Sequence, residues 1–297
     1  MSIMSDPVIK KRKPLLAALL SLLAPGLGQL YNGQWTMSLI IMIAAEILIA
    51  VDGRLLVATY PGLLSTYCLN AAFNLSFAID AYRSATKAGE FAPRPCNRVG
   101  YYAAFVILAG TLSLANGWMV RAFAYEMFSA PTASMAPTIE KDDRFMVAKH
   151  IGENIRRNDI LVFRSPYDGK TLVKRCIALG HDTVEIRHKQ LWINGKQTVE
   201  PFTQHSDITE IPLPHDALMD ASPRGSWEHG RFTQVYWARD NFGPVVVPEN
   251  CLFMMGDNRD DSYDSRFLGP VPRSAVVGKP LYVYFSRDFK RIGTTLR

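Results

Sequence analysis

The sequence predicts two bodies in series: N-terminal α-helical membrane segments, then a mainly β extracytoplasmic domain that carries an inserted subdomain. Three observations predict it. Apolar runs crowd the first part of the chain, at roughly 14–31, 36–52, 54–80 and 101–120, and a membrane-spanning helix needs about 20 such residues. After Ser134 the pattern changes to short apolar runs separated by turn residues, as in an all-β body. The mean hydropathy of +0.01 then averages an apolar and a polar part rather than describing one uniform domain. The expected division is residues 1–127 as membrane anchor and 128–297 as the second domain, with an insertion at about 196–245.

The net charge is +6, and the basic residues gather beside the apolar runs, at Lys10-Lys11-Arg12-Lys13 and at Arg83, Lys87, Arg94 and Arg98. Basic clusters placed there mark the cytoplasmic side of a membrane rather than a nucleic-acid footprint. The start has the outline of a secretory signal peptide, but Pro25-Gly26-Leu27-Gly28-Gln29 follows without a small-x-small cleavage pair, so it is expected to be retained. With the N-terminus and the 82–99 loop both cytoplasmic, an even number of crossings must separate them. The run at 14–31, broken at Pro25-Gly26 and again at Asn32-Gly33, is therefore expected to be a half-helix or interfacial segment. The second run exits, turns at Asp52-Gly53-Arg54, and the third returns. The fourth delivers the chain to the exterior, for about three spanning helices in a multi-pass protein. Glu46 in the second run is costly in hydrocarbon and is expected to snorkel or to sit protonated against a neighbouring helix. The run 25–34 looks like a motif of small bacterial membrane hairpin domains and carries no chemistry.

Strands are expected at 145–147, 160–163, 172–179, 183–193, 252–255 and 281–285. Between Gly195 and Val245 the spacing loosens, with Trp227, Tyr236 and Trp237 among Pro, His and Asp. Of the four cysteines, Cys176 and Cys251 fall outside the membrane in apolar contexts. They are either a disulfide or two buried thiols. No Cys or His pair has ligand spacing, so neither metal nor cofactor is expected.

Three stretches carry chemistry. Pro131-Thr132-Ala133-Ser134-Met135-Ala136-Pro137-Thr138-Ile139 presents a serine just after the last apolar run, although alone it also fits a Pro-punctuated linker. A serine is a poor nucleophile without a base. Leu172-Val173-Lys174-Arg175-Cys176-Ile177-Ala178-Leu179 reads as a strand interrupted by two cations. Burial lowers a lysine's pKa, and a neutral lysine can serve as general base. The run 254–266 is dense in charges of both signs after the apolar Leu252-Phe253, as in a hydrogen-bonded network supporting a site. None of the six histidines lies near the Ser134 stretch, which disfavours a Ser-His-Asp triad.

Ser134-Met135-x-Pro137-Thr138-Ile139, then Lys174-Arg175, then Gly256-Asp257-Asn258-Arg259-Asp260-x-Ser262-x-Asp264-Ser265-Arg266 closely resemble the ordered signature boxes of the type I signal peptidases, over about 121–285. The resemblance implies a signal-peptidase-like β-fold and a Ser-Lys serine endopeptidase. In it Ser134 is the nucleophile and Lys174 the general base. The Ser134 backbone N–H and the Thr132 hydroxyl hold the oxyanion, and Ser262 hydrogen-bonds and orients the lysine. Asp264, Arg266, Arg175 and Asp257 form the surrounding network. It further implies cleavage of exported preproteins after small residues of the Ala-x-Ala type, at the bacterial cytoplasmic membrane, with the catalytic domain on the periplasmic or extracytoplasmic side and the bilayer as partner. Nucleic acid is not a partner, and the chain is expected to be monomeric.

Ala133 stands where the family favours Gly, which can narrow the substrate groove. Ala178, Gly180 and His181 depart from its Gly, Pro and Gly before Asp182, which puts the turn after the lysine strand in doubt. Pocket walls are expected among Met135, Pro137, Ile139, Phe145, Ile160 and residues after Lys174. Two other classes fit less well: a dedicated Ser-Lys processing protease for special substrates, and a non-catalytic membrane-anchored β module that binds a partner.

Overall fold

The computed structural model describes residues 10–88, 90–91, 94–149, 154–214, 227–228 and 236–296. Much of the expected insertion, at 215–226 and 229–235, lies outside them, as do 89 and 92–93 in the loop expected at 82–99. The chain divides into two compact units, Met1–Ala124 and Tyr125–Arg297.

The first unit holds a two-residue strand β1 (Lys10–Lys11), helices α1 (Pro14–Leu23), α2 (Leu27–Tyr31), α3 (Trp35–Leu55) and α4 (Tyr60–Ala88), strand β2 (Glu90–Phe91) and α5 (Val99–Phe123). Helices α3, α4 and α5 are each long and apolar enough to cross a membrane. Helix α1 stops because Pro25 excludes helical conformation at Ala24, which is extended at φ −147°, ψ 124°. Gly26 then turns the chain at φ +92°. A side chain there would collide with the carbonyl of Ser38, whose Oγ instead donates to Gly26 O at 2.7 Å.

The motif at 25–34 acquires a role in this packing. Gln29 is fully buried; its Oε1 accepts from Ser21 Oγ (2.9 Å), and its Nε2 donates to Phe77 O (2.9 Å) and Asp80 Oδ2 (3.1 Å). Asn32 Nδ2 donates to Ala81 O at 2.8 Å. The broken helix is thus locked onto α4 by the amides of Gln29 and Asn32, whose donors find partners within the unit. Glu46 is joined to Ser113 Oγ and receives Asn116 Nδ2 of α5 on its carbonyl at 3.0 Å, so the carboxyl sits against a neighbouring helix. One expectation fails. The chain does not turn at Asp52-Gly53-Arg54: α3 continues to Leu55 and the turn falls at 56–59. Asp52 is buried and accepts from Asn70 Nδ2 of α4 at 3.3 Å, so its charge is answered inside the helix pair.

The second unit is mainly β, in keeping with the expected fold class. A seven-stranded antiparallel sheet has the order β12-β11-β6-β5-β13-β4-β3, and a four-stranded sheet the order β10-β7-β8-β9. The strands are β3 (Tyr125–Ser129), β4 (Arg144–Ala148), β5 (Ile160–Arg164), β6 (Thr171–Leu179), β7 (Thr183–Arg187), β8 (Gln190–Ile193), β9 (Lys196–Gln197), β10 (Phe242–Val246), β11 (Cys251–Met255), β12 (Val271–Pro272) and β13 (Val276–Phe285). The single strand expected at 183–193 is a hairpin, because His188 and Lys189 both adopt positive φ and reverse the chain. The last residues of the expected insertion form β10, which pairs with β7 and so belongs to the second sheet. Long β13 pairs with β5 through Val276 and Gly278 and with β4 from Lys279 onward; its register shifts bend one sheet around the core.

Three apolar clusters of described residues anchor the strands and loops of this unit, one of them around Leu161, Phe163, Leu252 and Met254. A second surrounds Met135, Ile139, Phe145, Ile160 and Val283. The third joins the two sheets around Phe242, Phe253 and the fully buried Trp227, whose Nε1 donates to Ser265 O at 2.6 Å. Cys176 and Cys251 are free thiols rather than a disulfide; Cys176 is buried as the thiol alternative has it, and Cys251 only partly so. Burial pushes the Cys176 thiol up to about 12.

Candidate active site

Strand β6 lies between β5 and β11 and buries five residues in a row, 174–178, so both of its faces are covered there and alternation no longer forces a polar residue outward. Successive side chains still point to opposite faces. Lys174 and Arg175, 3% and 2% exposed, therefore enter different surroundings, one toward Ser134 and one toward Asp257.

The serine is held by a tight loop. Met135 and Ile139, both in the core, bridge to one another, with Ile139 N–H donating to Met135 O at 2.9 Å and Ala136 N–H to Ala133 O at 3.0 Å. Ser134 between these anchors is 8% exposed. Lys174 Nζ and Ser134 Oγ are 2.5 Å apart, and Thr132 Oγ1 donates to Ser134 Oγ at 3.3 Å. Desolvation pushes the Lys174 ammonium down to about 8; Asp264 and Asp257 resist that fall, and Arg266 adds to it. A lysine in this state is neutral in part near neutral pH, and a neutral amine at hydrogen-bond distance can take a hydroxyl proton.

Behind the lysine stand two buried ion pairs. Arg175 donates Nε to Asp257 Oδ1 (2.8 Å) and Nη2 to Oδ2 (2.7 Å), and Thr138 Oγ1 donates to Asp257 Oδ2 at 2.5 Å. Arg266 donates Nε to Asp264 Oδ1 and Nη2 to Oδ2, each at 2.9 Å. Its remaining donors reach Arg239 O and Arg259 O, both at 2.7 Å. Burial would raise the Asp264 carboxyl, but Arg266 and the Gly256 N–H, at 3.0 Å from Oδ2, hold it below the usual range. Both forks are bidentate, which fixes orientation as well as charge.

Ser262 is the residue expected to hydrogen-bond Lys174. Its Oγ is buried beside Asp264, whose ionised form it favours, and among the described residues it forms no hydrogen bond to Lys174. The hydroxyl sinks against Gly256 instead. A Cβ at Gly256 would overlap Ser262 Oγ and the Ser134 carbonyl at once. Gly256→Ala is therefore expected to push the Ser134 loop and the 256–266 loop apart. Cleavage of a peptide substrate should fall by about tenfold or more, since displacements near 1 Å cost that much at a reacting centre. Unchanged turnover would show that the two loops tolerate separation.

A cavity of about 420 Å³ opens beside Ser134, lined by Phe128, Ala130, Thr132, Met135, Phe145, Val162 and 170–174 among others. Met135 and Phe145 line it as expected, but Pro137, Ile139 and Ile160 do not. Ile139 and Ile160 are consumed by the core, and the β6 wall precedes Lys174 rather than following it. Ala133 is also absent from the lining, so it does not narrow this space; its carbonyl is turned to Ala136 and Asn258. A larger cavity, about 730 Å³, is lined by Leu179, Gly180, His181, Glu249 and Arg273 among others. It lies at the far end of β6 and includes neither Ser134 nor Lys174. The turn in question there closes well: His181 takes φ +73°, and Asp182 accepts Leu179 N–H at 2.8 Å while paired to Arg157.

Asn258 and Arg259 stand in the 256–266 motif without an assigned role, and Glu200 lies in no motif. Asn258 N–H donates to Ser134 O at 3.2 Å, and Arg259 is paired with Glu200 at 2.5 Å, both side chains buried. The 256–266 run contains Asn258 and Arg259 but says nothing of Glu200, whose partner is 59 positions away.

A mainly β unit that buries a serine against a lysine of lowered pKa, preceded by helices able to cross a membrane, has the layout of a serine peptidase. Comparison makes the class particular. The family model described as signal peptidase, peptidase S26, matches residues 99–285, and the chain belongs to that family. It is 33% identical over 176 residues to signal peptidase I V of Bacillus subtilis (strain 168), covering 59% of this chain and 94% of that one. It is 33% identical over 188 residues to signal peptidase I S of the same organism, covering 62% and 88%. The crystal structure of a signal peptidase I from Enterococcus faecalis V583 is 30% identical, covers 43% of this chain and 97% of that one, and superposes with a TM-score of 0.29. The protein is a serine peptidase that hydrolyses peptide bonds.

Proposed function

We propose that the chain removes N-terminal signal peptides from exported preproteins, with Ser134 as nucleophile and Lys174 as general base, cutting after small residues of the Ala-x-Ala type. The observation that carries this is the 2.5 Å approach of Lys174 Nζ to Ser134 Oγ in a buried site. Neutral Lys174 accepts the hydroxyl proton as Ser134 Oγ attacks the scissile carbonyl. The resulting ammonium gives that proton to the leaving amine when the peptide C–N bond breaks. Neutral again, Lys174 takes a proton from the water that attacks the acyl-enzyme and returns it to Ser134 Oγ as the acyl C–O bond breaks. The oxyanion falls to the Ser134 backbone N–H and to the Thr132 hydroxyl, which donates to Ser134 Oγ in the resting site and swings to the oxyanion as charge develops. Arg175–Asp257 and Asp264–Arg266 hold the loops and the lysine's surroundings.

The small-residue preference is supported by a mainly apolar cavity walled by Phe128, Phe145, Val162 and Leu172, whose walls would meet larger side chains by clash. In this reading residues 1–127 anchor the enzyme in the bacterial cytoplasmic membrane by three spanning helices, and 128–297 act on the extracytoplasmic side as a monomer.

The test is cleavage of a preprotein by the detergent-solubilised enzyme beside Ser134→Ala, with the product's new N-terminus sequenced. A cut after a small-x-small site that vanishes in Ser134→Ala is the expected result. A cut that survives Ser134→Ala, or follows large residues, overturns the assignment.

A further inference from the structure

Residues 200–207, which open the insertion, lie across the 256–260 loop and touch it at every position from Asp257 to Asp260. Gln204 N–H donates to Asp257 O at 2.8 Å, and Arg259 N–H donates back to Gln204 O at 2.9 Å, a short parallel bridge between Gln204 and Asn258. Ser206 Oγ donates to Asn258 Oδ1 at 3.2 Å. Glu200 Oε1 accepts from Arg259 Nη2 at 2.5 Å, and the two side chains are 7% and 4% exposed. Asp260 Oδ2 accepts Asp207 N–H at 2.9 Å, while its Oδ1 faces Lys189 Nζ at 3.0 Å and His205 Nδ1 at 3.3 Å. Phe202 lies over the Arg175 guanidinium, 3.8 Å from its ring centre.

The far side of the same loop meets the nucleophile. Asn258 donates its N–H to Ser134 O at 3.2 Å and its Nδ2 to Ala133 O at 3.4 Å. Asn258 is therefore held by 200–206 on one side and holds the Ser134 backbone on the other. The Ser134 N–H, assigned above to the oxyanion, belongs to the peptide of that same Ala133 carbonyl. None of 200–206 lines the cavity beside Ser134.

We propose that residues 200–206 are a positioning strap. Through Asn258 and Arg175 they hold the nucleophile's backbone and the ion pair behind Lys174 in the reactive geometry without touching substrate. The proposal rests on Ser134 and Lys174 acting as assigned above. A bidentate Arg175–Asp257 pair keeps its strength only while water is kept from it, and Phe202 is the ring that covers Arg175. A buried Glu200–Arg259 pair fixes one register of the strap, since any slip leaves a buried charge unanswered.

The experiment uses the full-length enzyme in detergent, a preprotein substrate, and the variants Ser206→Ala, Phe202→Ala and Phe202→Tyr. It has two readouts: steady-state kinetics, and hydrogen exchange of the amides at 133–135 and 257–259. Ser206 is exposed, so its loss should leave the unfolding midpoint in place. Expected are kcat lowered about fivefold in Ser206→Ala and about tenfold or more in Phe202→Ala, with KM within about twofold of wild type and amide exchange accelerated in both; Phe202→Tyr restores both. Unchanged exchange in Ser206→Ala and Phe202→Ala overturns the strap whatever the kinetics. A raised KM with unchanged kcat also overturns it, because the segment would then contact substrate. Accelerated exchange in an enzyme whose wild type cleaves nothing supports the strap's hold on the loops and falsifies the catalytic reading instead.

Discussion

Lys174→Met abolishes cleavage, by roughly 10²–10⁴-fold or more as expected for removal of a general base, while leaving the second unit folded. Methionine fills similar volume in the same buried slot without a titratable nitrogen. The variant should also be more stable than wild type at neutral pH, and the sign follows from the proton count. The folded-state pKa, about 8, lies below the ordinary 10.5, so between these values the unfolded chain binds the proton that the native state does not. Stability of the wild type therefore rises with pH across that window, and the full cost of burying the ammonium is felt below about 8. Methionine escapes this cost. Its advantage should shrink by roughly 3 kcal/mol between about pH 7 and about pH 11. Chemical unfolding of both proteins across that range measures it, and an advantage that grows with pH would contradict a depressed lysine pKa. In the wild type kcat/KM should climb with pH, with half its rise near the same value of about 8. Loss of folding in Lys174→Met would make the lysine structural and remove it as base.

Arg266→Ala should cost about 3–5 kcal/mol of stability, because it leaves the fully buried Asp264 carboxylate without its fork. Two further carbonyls, of Arg239 and Arg259, lose their donors in the same step. That is a large share of the roughly 5–15 kcal/mol expected for a domain of this kind. Urea unfolding of the full-length enzyme in mild detergent is the measurement, with the double variant Asp264→Ala, Arg266→Ala beside it. The double variant should lose less than the sum of the two single changes, since removing both partners leaves no orphaned charge. Additive losses would show that the two side chains do not act as a pair.

Much of this protein is legible in the chain. The apolar runs and the change to short strands after Ser134 announce helices followed by a β body, because burial of apolar surface and local turn chemistry act over a few residues at a time. Asp52-Gly53-Arg54 misleads as a turn because a charge inside an apolar run looks like an exit; only Asn70, from another helix, makes it a tolerable interior residue. His188-Lys189 misleads the other way, hiding a hairpin in what reads as one strand. Trp227 offers no periodicity by which its burial could be foreseen, yet it fills the junction of two sheets.

The candidate site divides along the same line. A serine in a proline-flanked loop, a lysine inside an apolar strand and a run of mixed charges are visible as residue types, because each is costly or idle unless something answers it. What answers each is a matter of long-range geometry. That Lys174 reaches Ser134 while its neighbour Arg175 turns to Asp257, that Ser262 leaves the lysine alone, and that the insertion grips Asn258 all depend on strands brought together from distant parts of the chain. Sequence alone determines which side chains must be paired or desolvated. Only the tertiary structure decides with whom, since the partners lie far apart in the chain, 119 positions for Thr138 and Asp257, and local preference cannot span such a distance.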